Sequence, residues 1–147
     1  MRKLLTIILI LVASTSHAMS LKQAQGVYYK LAKVNRINAP PLVIWNDPSD
    51  NAKSGRNATY VTPGMLSFAR NNDEIAIILG HELSHFVNRD NGSTPSREYR
   101  ADQQGVVMAH RAGYNVCSGV AIVKRFNDKA SKTHPSSLDR WNKLKCK

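Results

Sequence analysis

The segment His81-Glu82-Leu83-Ser84-His85, with the pattern H-E-x-x-H, is the part of this chain best suited to catalysis. Residues four apart lie on one face of a helix, so His81 and His85 can bind one metal ion together. Glu82 then lies beside that ion, where its carboxylate can take a proton from a water molecule that the metal activates. The motif therefore predicts the chemistry of a zinc hydrolase, most often a protease.

The residues before the motif indicate that it lies on a buried helix. The run Ile75–Gly80 is apolar on every side, which is typical of a helix inside the core. Asn72 is the predicted N-cap, and Asp73 and Glu74 follow in the first turn, where the helix dipole favours acids. The alternative is a capped surface helix with two unrelated histidines. Buried histidines need polar partners, and a metal ion would supply one, so the metal interpretation is favoured.

A zinc hydrolase needs a third protein ligand and leaves the fourth position to water. Glu98 and Asp102 lie four apart on a second predicted helix. Glu98 can bind the metal, while Asp102 can accept the other ring N–H of a ligand histidine and hold its tautomer. By themselves, and with Arg97 and Arg100 nearby, these acids would indicate an ordinary solvated face. Beside H-E-x-x-H, the ligand interpretation is favoured.

In four segments the chain resembles the M48 peptidases, the Ste24/HtpX-like gluzincins. The segments are Ile78–Phe86; Glu98–Asp102, followed by Gly105 and Arg111–Tyr114; His134-Pro135 with Arg140; and, most weakly, Ala58–Leu66. The residues that the resemblance implies as zinc ligands are His81, His85 and Glu98. Glu82 would be the general base and Asp102 the partner of a ligand histidine.

The resemblance also implies roles for two residues near the C-terminus. His134 would lie near the active site and reach the metal or the substrate, although a His-Pro pair is also typical of a simple helix-entry turn. Arg140 would be a structural partner of the site or lie on its oxyanion side. The short segment 86–97 also resembles the spacing in the ImmA/IrrE-type metallopeptidases. Ala101-Asp102 and Arg111–Tyr114 fit the M48 pattern better.

Hydrophobic periodicity and turn residues predict an α+β fold with a helical core beside a small sheet, and the resemblance implies a zincin-like metallopeptidase domain. The predicted helices are Leu21–Val34, the two motif helices, about 116–127, and a short one from Ser136. The predicted strands are Leu42–Trp45 and Ala58–Val61, separated by a turn-rich segment, 46–55. The strand at 58–62 could bind a peptide substrate along a sheet edge or could be a plain structural hairpin.

The N-terminus has the pattern of a secretory signal peptide. Arg2 and Lys3 precede the apolar run Leu4–Ala13, and Ser16-His17-Ala18 offers small residues for cleavage after Ala18. The run is short for a membrane anchor, which is the alternative. We therefore expect a signal peptide at residues 1–18, one metallopeptidase domain at 19–147 without a transmembrane segment, and export to the periplasm or beyond.

Cys117 and Cys146 are the two cysteines of the chain, and an even pair in an exported protein predicts one disulfide. The net charge is +11, or about +9 without Arg2 and Lys3. The basic residues are scattered and form no nucleic-acid-binding motif. We expect a polypeptide substrate, no nucleic acid and, at most, weak attraction to anionic envelope surfaces.

These observations predict a zinc-dependent endopeptidase that binds one Zn²⁺ per chain and acts on exported or envelope proteins. Two alternatives stay open. One is a zinc-stabilised binding protein that holds clients without cutting them, and the other is a cationic envelope-binding module with a vestigial metal site. Glu82 separates the first alternative from the enzyme, because a purely structural zinc site has no need of that carboxylate.

Overall fold

A computed structural model describes residues 18–126 and 128–146, which form seven helices and one three-stranded sheet. The elements are α1 (Leu21–Val34), β1 (Leu42–Ile44), β2 (Ala52–Ser54), β3 (Thr59–Val61), α2 (Pro63–Phe68), α3 (Asn72–Asn88), α4 (Pro95–Arg111), α5 (Val116–Gly119), α6 (Ala121–Arg125) and α7 (Ser137–Leu144). Helices beside a small sheet make an α+β fold, as predicted. The predicted signal peptide lies outside the described residues except for Ala18, and it stays a prediction.

Helix α3 is the centre of the fold. Its residues from Glu74 to Ser84 are buried, and α1, α4, α5 and β2 pack around it. The side chain of Asn71 caps the helix by accepting the backbone N–H of Glu74 at 2.9 Å. The prediction of Asn72 as the N-cap was wrong by one residue, because Asn71 is the residue with the extended backbone and Asn72 is already helical.

The sheet has the strand order β1-β3-β2, with β1 parallel and β2 antiparallel to β3. Strand β2 was missed in the turn-rich segment 46–55, because three residues are too few to show an alternating pattern. The Tyr28 hydroxyl lies 2.7 Å from the Thr59 hydroxyl and joins α1 to β3. Because β3 is the central strand, both of its edges are paired, and it cannot be the strand that a peptide extends. The unpaired edge near α3 belongs to β2.

The C-terminal part of the chain packs against α3 and α4. The predicted helix at 116–127 is divided into α5 and α6, with Val120 between them, whereas α7 begins after Ser136 as expected. Cys117 and Cys146 form a disulfide with their Cα atoms 5.5 Å apart, which joins the end of α7 to α5. A bridge over a loop of this length contributes about 3 kcal/mol of stability. Among the described residues, no helix is long and apolar enough to cross a membrane.

Helices α3 and α4 cross at two glycines, Gly80 and Gly105. A Cβ atom on Gly105 would lie 2.6 Å from the backbone nitrogen of His81, and one on Gly80 would lie 2.7 Å from the carbonyl oxygen of Gly105. The two backbones are therefore in direct contact, with no room for a methyl group between them. This contact sets how closely Glu98 and Asp102 of α4 approach the histidines of α3.

We expect Gly105→Ala to destabilise the protein, because its methyl group would push α4 away from α3. Overpacking of this kind costs about 1–3 kcal/mol in the free energy of unfolding, measurable by equilibrium urea denaturation. Gly26→Ala is the matched control, since a Cβ there meets nothing within 4 Å and the position is an exposed part of α1. That control should be stabilised by about 0.5–1 kcal/mol. Equal stabilisation of both variants would contradict the tight crossing.

Candidate metal centre

Three side chains from two helices converge on one point. His81 and His85 come from α3 and Glu98 from α4, and one donor atom of each lies within 4.8 Å of the others. The Nε2 atoms of the two histidines are 3.0 Å apart. The Glu98 oxygens lie 3.3 Å from Nε2 of His81 and 3.5 Å from Nε2 of His85. The three residues that the sequence proposed as ligands are therefore brought together.

The donor set fits a zinc ion. Glu98 is 2% exposed, and its Oε1 atom has no hydrogen-bond partner among the described residues. A buried carboxylate oxygen without a hydrogen-bond partner is energetically costly. The Nε2 atoms of the two histidines face each other beside that same carboxylate, and they too need a partner. One cation at the point where they converge would satisfy all three groups. Two imidazoles and a carboxylate are also the donor types of catalytic zinc sites, which keep one position open.

His81 is oriented by a carboxylate and a guanidinium. Its Nδ1 atom lies 2.9 Å from Oδ1 of Asp102, on α4. Arg140 of α7 donates two hydrogen bonds to the same carboxylate, from Nε at 2.8 Å and from Nη2 at 2.6 Å. Asp102 thus holds the imidazole with Nε2 turned towards the other ligands, and Arg140 holds Asp102. The structure places Arg140 behind the histidine, as a partner of Asp102.

His85 has a similar pair of partners that the sequence analysis missed. Its Nδ1 atom lies 2.8 Å from Oδ2 of Asp90, and Arg100 of α4 donates to Oδ1 of that carboxylate. Asp90 lies five residues beyond His85, which is off the helical face that periodicity selects. Arg89 ends α3 in a left-handed conformation with φ 52°, and this turns Asp90 back towards His85. The one sequence signal for Asp90 was the presence of an acidic residue just after the end of the histidine helix.

The ion pairs shift the pKa values of the candidate ligands. Burial disfavours the charged form of His81, but hydrogen bonds to Asp102 and Glu98 outweigh it and raise its pKa to about 9 when no metal is bound. Burial and hydrogen bonding oppose each other in the same way at His85, whose pKa is also raised. Burial raises the pKa of Glu98, but the two imidazoles outweigh it and lower that pKa below its ordinary value. All three shifts follow from the close approach of the two imidazoles to carboxylates.

Glu82 and His134 lie at the open side of the centre. Glu82 is 7% exposed, and within residues 18–126 and 128–146 its carboxylate makes no hydrogen bond or ion pair. His134 is held in a turn by Ser131, and its Nε2 atom lies 3.7 Å from Oε1 of Glu98. Its side chain is half exposed. The structure thus places both residues beside the ligands, and their roles stay predictions.

The centre lies in a cleft with two halves. The residues shared by both halves are Asn51, Ala52, His81, Glu82, Glu98 and His134. One half continues along β2 and the loop after α3, lined by Lys53, Ser54, His85, Asp90, Gly92 and Ser93. The other half is lined by Asp50, Met65, Ile78, Phe126, Asp128 and Arg140. A chain lying in the cleft would therefore pass Glu82 and the candidate metal position.

This arrangement defines a class of site, a candidate single-metal centre built from two helices and lying in a cleft. The sequence profile of Peptidase family M48 matches residues 18–96 and 91–147. The chain belongs to this family. Curated relatives include the "Protease HtpX homolog" proteins of Lactobacillus helveticus and Lactobacillus acidophilus, each 36% identical to this chain over 90 residues. Those alignments cover 54% of this chain and 30% of each relative.

We expect Asp90→Asn to weaken zinc binding, because His85 would lose the carboxylate that orients it. Loss of such a partner lowers metal affinity by about 10- to 100-fold, which competition with a chromophoric chelator can measure. Asp139→Asn is the control, since Asp139 is exposed on α7 and contacts Ser136. Wild-type affinity in the Asp90 variant would show that His85 needs no such partner.

Zinc binding should release protons. With its pKa raised to about 9, His81 carries a proton at pH 7.5 when no metal is bound, and a ligand nitrogen must be unprotonated. The affinity for zinc should therefore rise with pH up to about 9 and then level off. Isothermal titration in two buffers of different ionisation enthalpy should show release of about one proton or more per zinc. Identical heats in both buffers would contradict a protonated His81.

Proposed function

We propose that this protein is a zinc-dependent endopeptidase with a zincin-like active site. The observation that carries the proposal is the convergence of the two imidazoles and the buried, unpartnered Glu98 oxygen beside the free carboxylate of Glu82. His81, His85 and Glu98 would hold the zinc ion. Zinc bound there would supply Lewis-acid activation of a water molecule and of the peptide carbonyl.

Glu82 is the general base of the proposed reaction. It takes the proton of the attacking water and later delivers it to the leaving amine, so its carboxylate must face the cleft without a permanent partner. Asp102 and Asp90 keep the ligand imidazoles in the tautomer whose Nε2 lone pair faces the centre. Arg140 and Arg100 hold these two carboxylates ionised and in place. His134, whose side chain is half exposed beside Glu98, would contact the substrate.

The substrate is an extended polypeptide. Strand β2 has one edge paired with β3, and the cleft runs along residues 51–54. A peptide added to the other edge would form main-chain hydrogen bonds that tolerate many sequences, and its backbone would lie against the candidate centre. The printed name of the Lactobacillus relatives, a protease, agrees with a polypeptide substrate.

We place the protein among exported proteins. The signal-peptide pattern of residues 1–18 supports this, and the Cys117–Cys146 disulfide is typical of an oxidising compartment. Envelope proteins would then be its substrates. The expected weak attraction to anionic surfaces depends on the net positive charge alone and stays a prediction.

The test is zinc-dependent cleavage of an unfolded protein such as casein, with Glu82→Gln and His81→Ala compared side by side. Glu82→Gln should keep zinc, measured by metal analysis, and lose at least about 1,000-fold in rate because the base is gone. His81→Ala should lose both zinc and activity. Cleavage by Glu82→Gln at the wild-type rate would contradict the assignment of the base. Zinc binding without cleavage by the wild-type protein would favour the binding-protein alternative.

A further inference from the structure

One half of the cleft has an apolar floor and an acidic rim. The buried side chains of Met65 and Ile78 and the half-buried Phe126 line its floor. The exposed residues Asp50 and Asp128 lie at its rim. This half begins at Glu82 and the candidate metal position, so it would receive a substrate side chain next to the scissile bond.

The two rim carboxylates are unusual in this chain. The protein has 10 acidic residues against 21 lysines and arginines, and most of these acids serve a structural contact or the metal centre. Glu74 pairs with Arg125, for instance, and Asp102 pairs with Arg140. Within residues 18–126 and 128–146, the carboxylates of Asp50 and Asp128 accept no hydrogen bond and form no ion pair. Neither carboxylate is held by a partner side chain among these residues, although the charge of Asp128 also acts on Arg140, so both can meet a cation from outside.

The backbone next to each rim carboxylate is anchored. Around Asp50, the Thr62 hydroxyl accepts the backbone N–H of Asn51 at 3.0 Å. The residue before Asp50, Ser49, lies against α2 at Gly64, where a Cβ would be only 2.3 Å from the Ser49 carbonyl oxygen. The Ser137 hydroxyl accepts the backbone N–H of Asp128. The backbone that carries the acidic rim is therefore anchored to the rest of the fold.

The floor is anchored as well. Phe126 stacks on Phe68 with ring centroids 5.1 Å apart, and the preceding residue, Arg125, donates to the Phe68 carbonyl at 2.9 Å. Among the described residues that line this half, Arg140 is the only lysine or arginine, and Asp102 pairs with it through two hydrogen bonds. The half-cleft therefore presents apolar surface below and net negative charge above, in a protein that is otherwise strongly basic.

We infer that this half of the cleft is a specificity subsite for a lysine or arginine side chain of the substrate. The aliphatic stem would lie along Met65, Ile78 and Phe126, and the cationic end would reach the rim carboxylates, as long cationic side chains commonly do. An acidic side chain would face two carboxylates without compensation. The inference rests on the proposed function, because it names the substrate class of that active site.

The test uses the zinc-loaded Glu82→Gln variant, which binds peptides without cutting them. Extended peptides of neutral sequence carry lysine, norleucine or glutamate at one position at a time, and fluorescence anisotropy gives their Kd values. At one position we expect lysine to bind about tenfold tighter than norleucine, and glutamate to bind more weakly than either. Raising the salt concentration should reduce this preference, because the carboxylates are exposed.

Added Asp50→Asn and Asp128→Asn substitutions should reduce the ratio of the norleucine and lysine Kd values to about one, because they remove charge and keep shape. Asp139→Asn, which removes one carboxylate charge on the exposed side of α7, should leave that ratio intact. Asp50→Lys with Asp128→Lys should reverse the preference towards glutamate. Equal affinity for lysine and norleucine at every position, or a lysine preference that survives the double Asn change, would overturn the inference.

Cleavage by the wild-type protein separates this inference from the proposed function. Cleavage of casein without any preference for lysine or arginine would support the endopeptidase function and contradict the proposed subsite. If the protein cleaves nothing but binds lysine peptides with a preference that depends on Asp50 and Asp128, the subsite would be supported and the endopeptidase function contradicted.

Discussion

Direct contact between two helix backbones determines where the candidate metal centre can form. Gly80 of α3 and Gly105 of α4 leave no space for side chains at their crossing. Because α3 carries the histidines and α4 carries Glu98, the separation of these helices determines the distance between Glu98 and the histidines. A single methyl group at the crossing would change that distance by an amount comparable to the whole tolerance of a metal site. The remaining elements pack around this fixed pair.

The Nδ1 atom of each candidate ligand histidine contacts an aspartate, and each of these aspartates pairs with an arginine. His81, Asp102 and Arg140 come from α3, α4 and α7, so the C-terminal helix contributes directly to the geometry of the centre. The Cys117–Cys146 disulfide joins the end of α7 to α5 and limits how far that helix can move. The positions of the ligand nitrogens therefore depend on packing across most of the domain.

The cleft combines a strand edge with two different walls. The β2 edge offers backbone groups that recognise any extended chain, whereas the residues on either side of the centre differ in charge and polarity. Sequence-tolerant binding and side-chain selection thus come from separate parts of the same cleft. Asp50 and Asp128 come from distant parts of the chain, one before β2 and one before α7.

The chemical groups of the site follow from local sequence patterns alone. His81, Glu82 and His85 share one helix, and Glu98 and Asp102 share another, so helical periodicity settles their relative positions without any tertiary contact. The α+β composition and most helix positions also follow from local patterns. A one-residue error at Asn71 and the division of the 116–127 helix show that element ends depend on backbone conformation, which residue type only biases.

Features that depend on contacts between separate segments could not be predicted from local patterns. Asp90 reaches His85 because Arg89 reverses the chain, and β2 is an edge strand because β1 and β2 pair with the two sides of β3. Neither fact leaves a periodic signal, since each depends on a turn or on a pairing between distant residues. The acidic rim could not be predicted for the same reason. Asp50 and Asp128 are exposed and far apart in sequence, and only the packing of the chain brings them to one cleft.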